Sequence, residues 1–305
     1  RDEVRIAYAN GYIKQVDGQT LGVLVLDQFY MNCAADCRKI LYWLNSKNID
    51  GLILDLRNNP GGLLTETVNI CKLFIGYGPV VQILEGYVSR KLPSNDFFKS
   101  QLYDGPLVVA VNAASASGSE ILAATIQDYK RGVIVGSRTF GKGSAQQMLS
   151  EINKAGYLYT TTAKFFRVNG KTTQTCGVTP DIELPSIPIE VSNPEYSSVT
   201  PLYYSPVNDV DSNMIELLSL QSGNRIRENN EYAYILEQIS RGYNQEIVLN
   251  KDVRLKEKMK WDLNNLAYEK ILQNRIAQDS AKIIRYRNDT EIVLNSNNKE
   301  FKQLQ

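Results

Sequence analysis

Leu52-Ile53-Leu54-Asp55-Leu56-Arg57-Asn58-Asn59-Pro60-Gly61-Gly62 is the stretch on which the fold turns. Its first five residues are a short apolar run, a buried strand by length. An Asn-Pro-Gly-Gly turn follows, and Leu64 to Ile75 then places Leu64, Val68, Cys71 and Ile75 on one helical face. The same alternation surrounds it. Upstream, Leu21 to Leu26 reads as a strand and Ala34 to Leu44 as a helix with Ile40, Leu41 and Leu44 in phase. Downstream, Val80 to Leu84 and Leu107 to Asn112 read as strands, Ser117 to Tyr129 as a helix, and Val133 to Val135 as a strand. Tyr157 to Phe166 is a longer β segment, closed by an Asn169-Gly170 turn. Strands alternating with helices predict an α/β fold with a largely parallel sheet and flanking helices.

Composition changes near Pro185. Residues 186–211 are rich in Pro, Ser, Asn and Tyr and read as a linker or extended segment. From Met214 onward Lys, Glu, Asn, Leu and Gln dominate, and Leu255, Met259, Leu263 and Leu266 share a helical face. The expected organisation is a catalytic α/β core over 1–185, a linker over 186–211 and a helical C-terminal region over 212–305.

Several function classes recede on composition. A net charge of +1 offers nothing to nucleic acid or to an anionic membrane surface. No apolar run reaches the roughly 18 residues of a membrane span. The sequence opens at Arg1 without a signal peptide, which reads as a processed or trimmed product. Cys33, Cys37, Cys71 and Cys176 are scattered rather than paired at zinc spacing, so idle or buried thiols are expected and neither a metal nor a cofactor is. The chain has no histidine, which excludes Ser-His-Asp and Cys-His chemistry. A general base working near neutral pH must then be a carboxylate, a lysine, a tyrosine or water.

Two further segments join the Gly-rich turn. Asn112-Ala113-Ala114-Ser115-Ala116-Ser117-Gly118-Ser119-Glu120 ends a strand and opens a helix. Thr139-Phe140-Gly141-Lys142-Gly143-Ser144-Ala145-Gln146 sets a lysine between two glycines, with a glutamine four residues on. Read singly, each has a bland meaning: a turn, a Ser117–Glu120 capping box, and a solvated loop lysine. In this order, the three resemble the C-terminal processing peptidases, also called tail-specific proteases. Phe166-Arg167-Val168-Asn169-Gly170 and Gly177-Val178-Thr179-Pro180-Asp181-Ile182 extend the resemblance, which covers roughly residues 20 to 185.

The resemblance implies a crotonase/ClpP-like sheet and a serine endopeptidase. Its nucleophile falls on Ser117, its general base on Lys142, and the glutamine that orients the lysine on Gln146. The oxyanion hole falls on the N–H of Gly118 and on one from the Gly61-Gly62 turn. The family's usual alanine after the nucleophile is Gly118 here, implying a looser loop. It implies protein or peptide substrates chosen by their C-terminal tails, an adaptor protein, and a periplasmic or cell-envelope location. A PDZ domain usually precedes the core in that family, and the sequence begins where that domain would end, which reads as a trimmed precursor, a deletion or a member without it.

Physical chemistry supports the pairing independently. A serine hydroxyl needs an adjacent base. A lysine serves only if its amine is kept neutral, so a dry site is expected around it, with Phe140 and the two glycines turning the side chain inward. Gln146 fixes the amine without adding charge. Glu120 reads as a cap or structural carboxylate, and Asp128 as a helix-end partner of Lys130 or Arg131. The rival readings are an idle tail-binding module, separable by peptide turnover, and a crotonase-like acyl-thioester enzyme, separable by labelling of Ser117.

Overall fold

The computed structural model describes residues 8–93, 101–151, 157–186 and 210–229, with Tyr232, Leu236 and the pair 294–295. These belong to one compact unit, 1–236 with 293–305. The second unit, 237–292, lies outside the described residues, as do the expected helical face through Leu255 and most of the 186–211 segment.

Strands β1 (Ala9–Val16) and β2 (Gln19–Leu26) form an antiparallel hairpin. Its turn is Asp17-Gly18, both at positive φ, the arrangement that matches the right-handed twist of the strands. Helix α1 (Cys33–Ser46) returns the chain to β3 (Gly51–Asp55), which lies parallel to β2. Helix α2 (Leu64–Ile75) follows, and the chain then leaves the sheet for β4 (Val81–Glu85) and β5 (Val88–Leu92). It rejoins at β6 (Leu107–Val111), parallel to β3, and α3 (Gly118–Asp128) leads to β7 (Val133–Gly136), parallel to β6. A second excursion carries β8 (Ser144–Glu151) and β9 (Tyr157–Phe166). The chain returns at β10 (Ile182–Glu183), passes through α4 (Ser212–Glu228), and β11 (Leu294–Asn295) pairs antiparallel with β1.

Two sheets result. The larger has the order β10-β7-β6-β3-β2-β1-β11, and its five strands from β10 to β2 are parallel. The smaller has the order β5-β4-β9-β8 and is antiparallel throughout. The fold class expected from the alternating pattern is therefore present. The pattern did not separate Val81–Glu85 into a second sheet, because a short apolar run carries no record of its partner. It also passed over β8, whose Ser and Gln residues lack strand-like alternation.

Period two sorts the central strands. Leu52, Leu54, Leu107, Val109 and Val111 are buried with Ile40, Leu41 and Leu44 of α1, Leu73 and Phe74 of α2, and Leu122 and Ile126 of α3. Val108, Val133, Val135 and Ile182 instead line a cavity of about 440 Å³ with Leu218 and Ile226 of α4. Each fully buried aliphatic side chain contributes about 2 kcal/mol. Cys33, Cys37 and Cys71 are part of this core, and burial pushes the Cys33 and Cys71 thiols up to about 12, where they stay protonated.

Arg131 is the largest fully buried side chain among the described residues. Its guanidinium donates to the carbonyls of Phe74, Tyr103 and Gly105 at 3.2, 2.9 and 2.9 Å. It thereby ties the end of α2 to the segment that enters β6. Arg131→Met should destabilise the protein by about 3 kcal/mol, since the carbonyls lose their donors, and should shift the denaturant midpoint without altering the chemistry of the distant cleft. An unchanged midpoint would contradict this role.

Candidate active site

The end of β6 is built to hold one serine in a costly conformation. Ser117 sits at φ 55°, ψ −110° immediately before α3. A non-glycine residue there is strained, by about 1–3 kcal/mol, and such sharp strand-to-helix turns expose a side chain at the top of a sheet. Neighbouring hydrogen bonds hold the strain. The Asn112 carboxamide oxygen accepts from Asn58 N–H and Ala114 N–H at 2.9 and 3.1 Å. Ser115 Oγ donates to Leu56 O at 2.8 Å, and Ala116 N–H donates to Asn59 O at 3.0 Å.

Those partners belong to the Gly-rich turn. Asn59 is fully buried and organises it: Nδ2 donates to Leu26 O at 2.7 Å, Oδ1 accepts from Gly61 N–H at 2.8 Å, and its carbonyl also accepts from Ser119 Oγ at 2.9 Å. Gly61 lies at φ 97°, and a Cβ there would stand 2.8 Å from Ala116 O, Gly118 N and Ser117 Cβ. Only glycine allows the turn and the serine loop to come this close. Of the two glycines expected to supply an oxyanion donor, Gly61 has its N–H committed to Asn59. Gly62 has no hydrogen-bond partner for its N–H among the described residues, and it lines the same cleft as Ser117. Gly118 lines that cleft too, and its N–H, at the first position of α3, is likewise without a partner among the described residues. The looser loop expected from its missing methyl is not found. Gly118 is buried, and a Cβ would meet Thr67 Oγ1 at 2.7 Å.

The lysine loop is joined to the serine loop through Glu120. This carboxylate is fully buried and accepts four hydrogen bonds. Its Oε2 takes Ser117 N–H and Lys142 N–H, both at 2.8 Å, and its Oε1 takes Thr139 Oγ1–H at 2.6 Å and Gly141 N–H at 2.7 Å. Thr139 Oγ1 in turn accepts from Val178 N–H at 2.7 Å, so its own hydrogen is committed to Glu120. Burial pushes the Glu120 pKa up, against these donors, which favour the charged form. The role reaches beyond the expected cap: one side chain bonds backbone atoms twenty-five positions apart, at 117 and 142.

The segment 172–178 backs this loop from behind. Thr175 N–H donates to Gly141 O, and Gly143 N–H donates to Gln174 Oε1, both at 2.7 Å. Cβ atoms at 141 and 143 would collide with the main chain of Thr175 and Gln174, at 2.9 and 2.6 Å. The two glycines flanking Lys142 are thus required by close packing, rather than by the inward turn expected of the lysine. The Lys142 side chain is exposed, as is Phe140, so the dry surroundings expected of the amine are not provided by the loop itself. Gln146 is exposed on β8, beside a bulge between Ala145 and Gln146.

Ser117, Gly118, Gly62, Lys142 and Gln146 all line one cleft of about 450 Å³. No hydrogen bond links the Ser117 hydroxyl, the Lys142 amine and Gln146 in this conformation. One wall is the smaller sheet, through Ile83, Ala163 and Phe165, and the other is the starts of α2 and α3, through Leu64, Thr67 and Ile121. Most of these side chains are buried, which makes the floor apolar. The Glu85–Arg90 ion pair, 2.7 Å and half exposed, also lines the cleft, from the β4–β5 hairpin.

Asp128 differs from expectation in its partner. It pairs with Arg167, which approaches from the turn after β9 and also donates to Gln127 at 2.9 Å, and it accepts from Asn169 at 2.8 Å. Burial raises its pKa while Arg167 pulls it down. Lys130 and Arg131 follow it in sequence, yet α3 ends there and turns them elsewhere. The Phe166–Gly170 stretch therefore fastens the smaller sheet to α3. Sequence reading missed Thr139 and Gln174, which are polar loop residues without periodicity.

A tail-specific protease of Haemophilus influenzae is 42% identical over 196 residues, covering 61% of this chain and 28% of that protein. A carboxyl-terminal-processing protease of a Picosynechococcus species is 35% identical over 195 residues, covering 62% of this chain and 45% of that protein. The chain thus spans less than half the length of either relative. A solved structure described as a photosystem II D1 C-terminal processing protease superposes with a TM-score of 0.52 at 31% identity, over 60% of this chain and 50% of that one. Residues 20–184 match peptidase family S41 over more than half of the chain, and the span holds every residue from the Gly-rich turn to the segment behind the lysine loop: the chain belongs to peptidase family S41.

Proposed function

We propose that the protein is a serine endopeptidase in which Ser117 is the nucleophile and Lys142 the general base. One observation carries the reading: a single buried carboxylate, Glu120, holds the backbone of both residues at one cleft. In the proposed reaction Ser117 Oγ attacks the scissile carbonyl carbon and passes its proton to the neutral Lys142 amine. The carbonyl oxygen, now negative, is received by the N–H groups of Gly62 and Gly118. Each well-aimed donor of this kind is worth about 3 kcal/mol in the transition state. The C–N bond breaks, the leaving amine takes the proton from Lys142, and an acyl-Ser117 ester remains. Lys142 then removes a proton from water as it attacks the ester; the acyl C–Oγ bond breaks, the carboxyl product leaves, and Ser117 Oγ recovers the proton from Lys142.

Gln146 is assigned to orienting the amine once substrate is bound. An extended peptide laid in the cleft would cover Lys142 and supply the dryness that its loop lacks. Selection of substrates by their C-terminal tails, an adaptor protein and a periplasmic location rest on the likeness to tail-specific and C-terminal processing proteases. The apolar floor favours an aliphatic residue beside the cleaved bond.

Ser117→Ala and Lys142→Ala should each lower kcat/KM on a fluorogenic peptide by at least roughly 1,000-fold with the fold intact by circular dichroism. Intact mass after acid quench should show an acyl adduct on the wild type and none on Ser117→Ala. Full turnover in Lys142→Ala would end the proposal. Glu120→Gln keeps the volume but sets an amide N–H against backbone N–H donors. Its kcat should fall about 100-fold with KM nearly unchanged, since misplacing the base by about 1 Å suffices for that loss. A variant with normal kcat would show that the carboxylate does not position the pair.

A further inference from the structure

Phe29 touches both of the glycines to which oxyanion donors are assigned, by two different means. It lies three residues past the end of β2 and is 1% exposed. Its main chain stitches the Gly-rich turn in place: Phe29 N–H donates to Gly61 O at 3.0 Å, and Leu63 N–H donates to Phe29 O at 2.8 Å. These two bonds bracket Gly62 as a parallel bridge, and in that pattern Gly62 N–H takes no part in the pairing. The approach is so close that a Cβ on Gly62 would fall 2.1 Å from Phe29 O. The Phe29 ring, meanwhile, backs Gly118. A Cβ there would meet its Cδ2 and Cε2 at 3.1 and 3.4 Å, beside Thr67 Oγ1 at 2.7 Å.

We infer that Phe29 is a positioning residue that sets the spacing of the Gly62 and Gly118 N–H groups, with its main chain holding one and its ring, seated with Thr67, holding the other. The inference rests on the proposed peptidase reading. An aromatic ring suits the task, since it is rigid and a close-packed interior transmits its shape without slack. Gly118 in turn is matched to that seat: a methyl at 118 has no space unless Thr67 or the ring retreats. Donors aimed at an oxyanion act on the transition state more than on bound substrate, so a spacing error appears in kcat rather than in KM.

Phe29→Leu keeps every backbone bond and empties part of the seat. Its kcat should fall 10- to 100-fold with KM within about twofold, and the inhibition constant of a peptide aldehyde, which forms a tetrahedral adduct with a serine, should weaken by the same factor. Leu41→Ala, a core truncation in α1, should lose comparable stability with kcat and aldehyde binding retained. Gly118→Ala approaches the seat from the other side and should give the same parallel loss, partly restored by adding Thr67→Ala. That pair serves as the test if Phe29→Leu does not fold. Loss of kcat without loss of aldehyde affinity, or no rescue by Thr67→Ala, would overturn the inference while leaving the peptidase reading intact. A wild type that neither cleaves peptides nor binds the aldehyde would remove the reading itself.

Discussion

The Glu120 carboxylate is the constraint on which the site depends. Its two oxygens accept from four donors that belong to two loops, and among the described residues no other side chain bonds both Ser117 and Lys142 backbones. A buried carboxylate is expensive to desolvate, and hydrogen bonds repay that cost only when all of them are made at once. The site is therefore an all-or-none assembly. If the loop 139–142 moves away, three donors leave together and the buried carboxylate keeps only Ser117 N–H. Ser117 N–H, one of the four donors, comes from the residue in the strained turn, so the carboxylate also ties down that loop.

Around that anchor, the glycines mark places where two main chains touch. Gly61 allows the turn after β3 to meet the serine loop, Gly62 meets Phe29, and Gly141 and Gly143 meet the segment 172–178. Each contact is backbone to backbone, so a methyl group would force the chains apart rather than displace a side chain. Three loops from distant parts of the sequence are packed in this way at the C-terminal ends of β3, β6 and β7, where open α/β sheets place their sites. The smaller antiparallel sheet then forms the far wall. Its attachment through Arg167 to Asp128 and Gln127 fixes the width of the cleft from the end of α3 opposite to Ser117.

Much of this was legible in the sequence. The central strands and the first three helices follow from apolar period and from the turns that interrupt it, and Gly62, Ser117, Gly118, Lys142 and Gln146 of the cleft were singled out by motif. What was not legible has a common physical origin. Pairing partners are long-range facts. Val81–Glu85 reads as a strand, but nothing in it says that Val88–Leu92 and Phe166 flank it rather than the parallel core. Asp128 reads as a helix-end acid beside Lys130 and Arg131, yet its cation arrives from thirty-nine residues away. Glu120 reads as a capping residue, and its Ser117 bond is local, but the other three come from a loop whose approach only tertiary packing decides. Burial of the lysine was a further expectation that failed, since glycines on both sides suggest a side chain free to turn inward, whereas here they serve close packing.

That failure bears on how a Ser-Lys site could be regulated by its own substrate. The Lys142 side chain is exposed to solvent in the open cleft. In the proposed mechanism, the cleft becomes dry only when a chain occupies it, so the base would be switched on by the ligand it serves. The apolar walls from Ile83, Phe165 and Ile121 make such desolvation possible. Glu120, a buried acid that bonds the Lys142 backbone, is saturated by its four donors, so its charge is spent on the loop instead of on the amine. A site arranged in this way pays for dryness with substrate binding energy, and short ligands that leave Lys142 uncovered would be held without being cut.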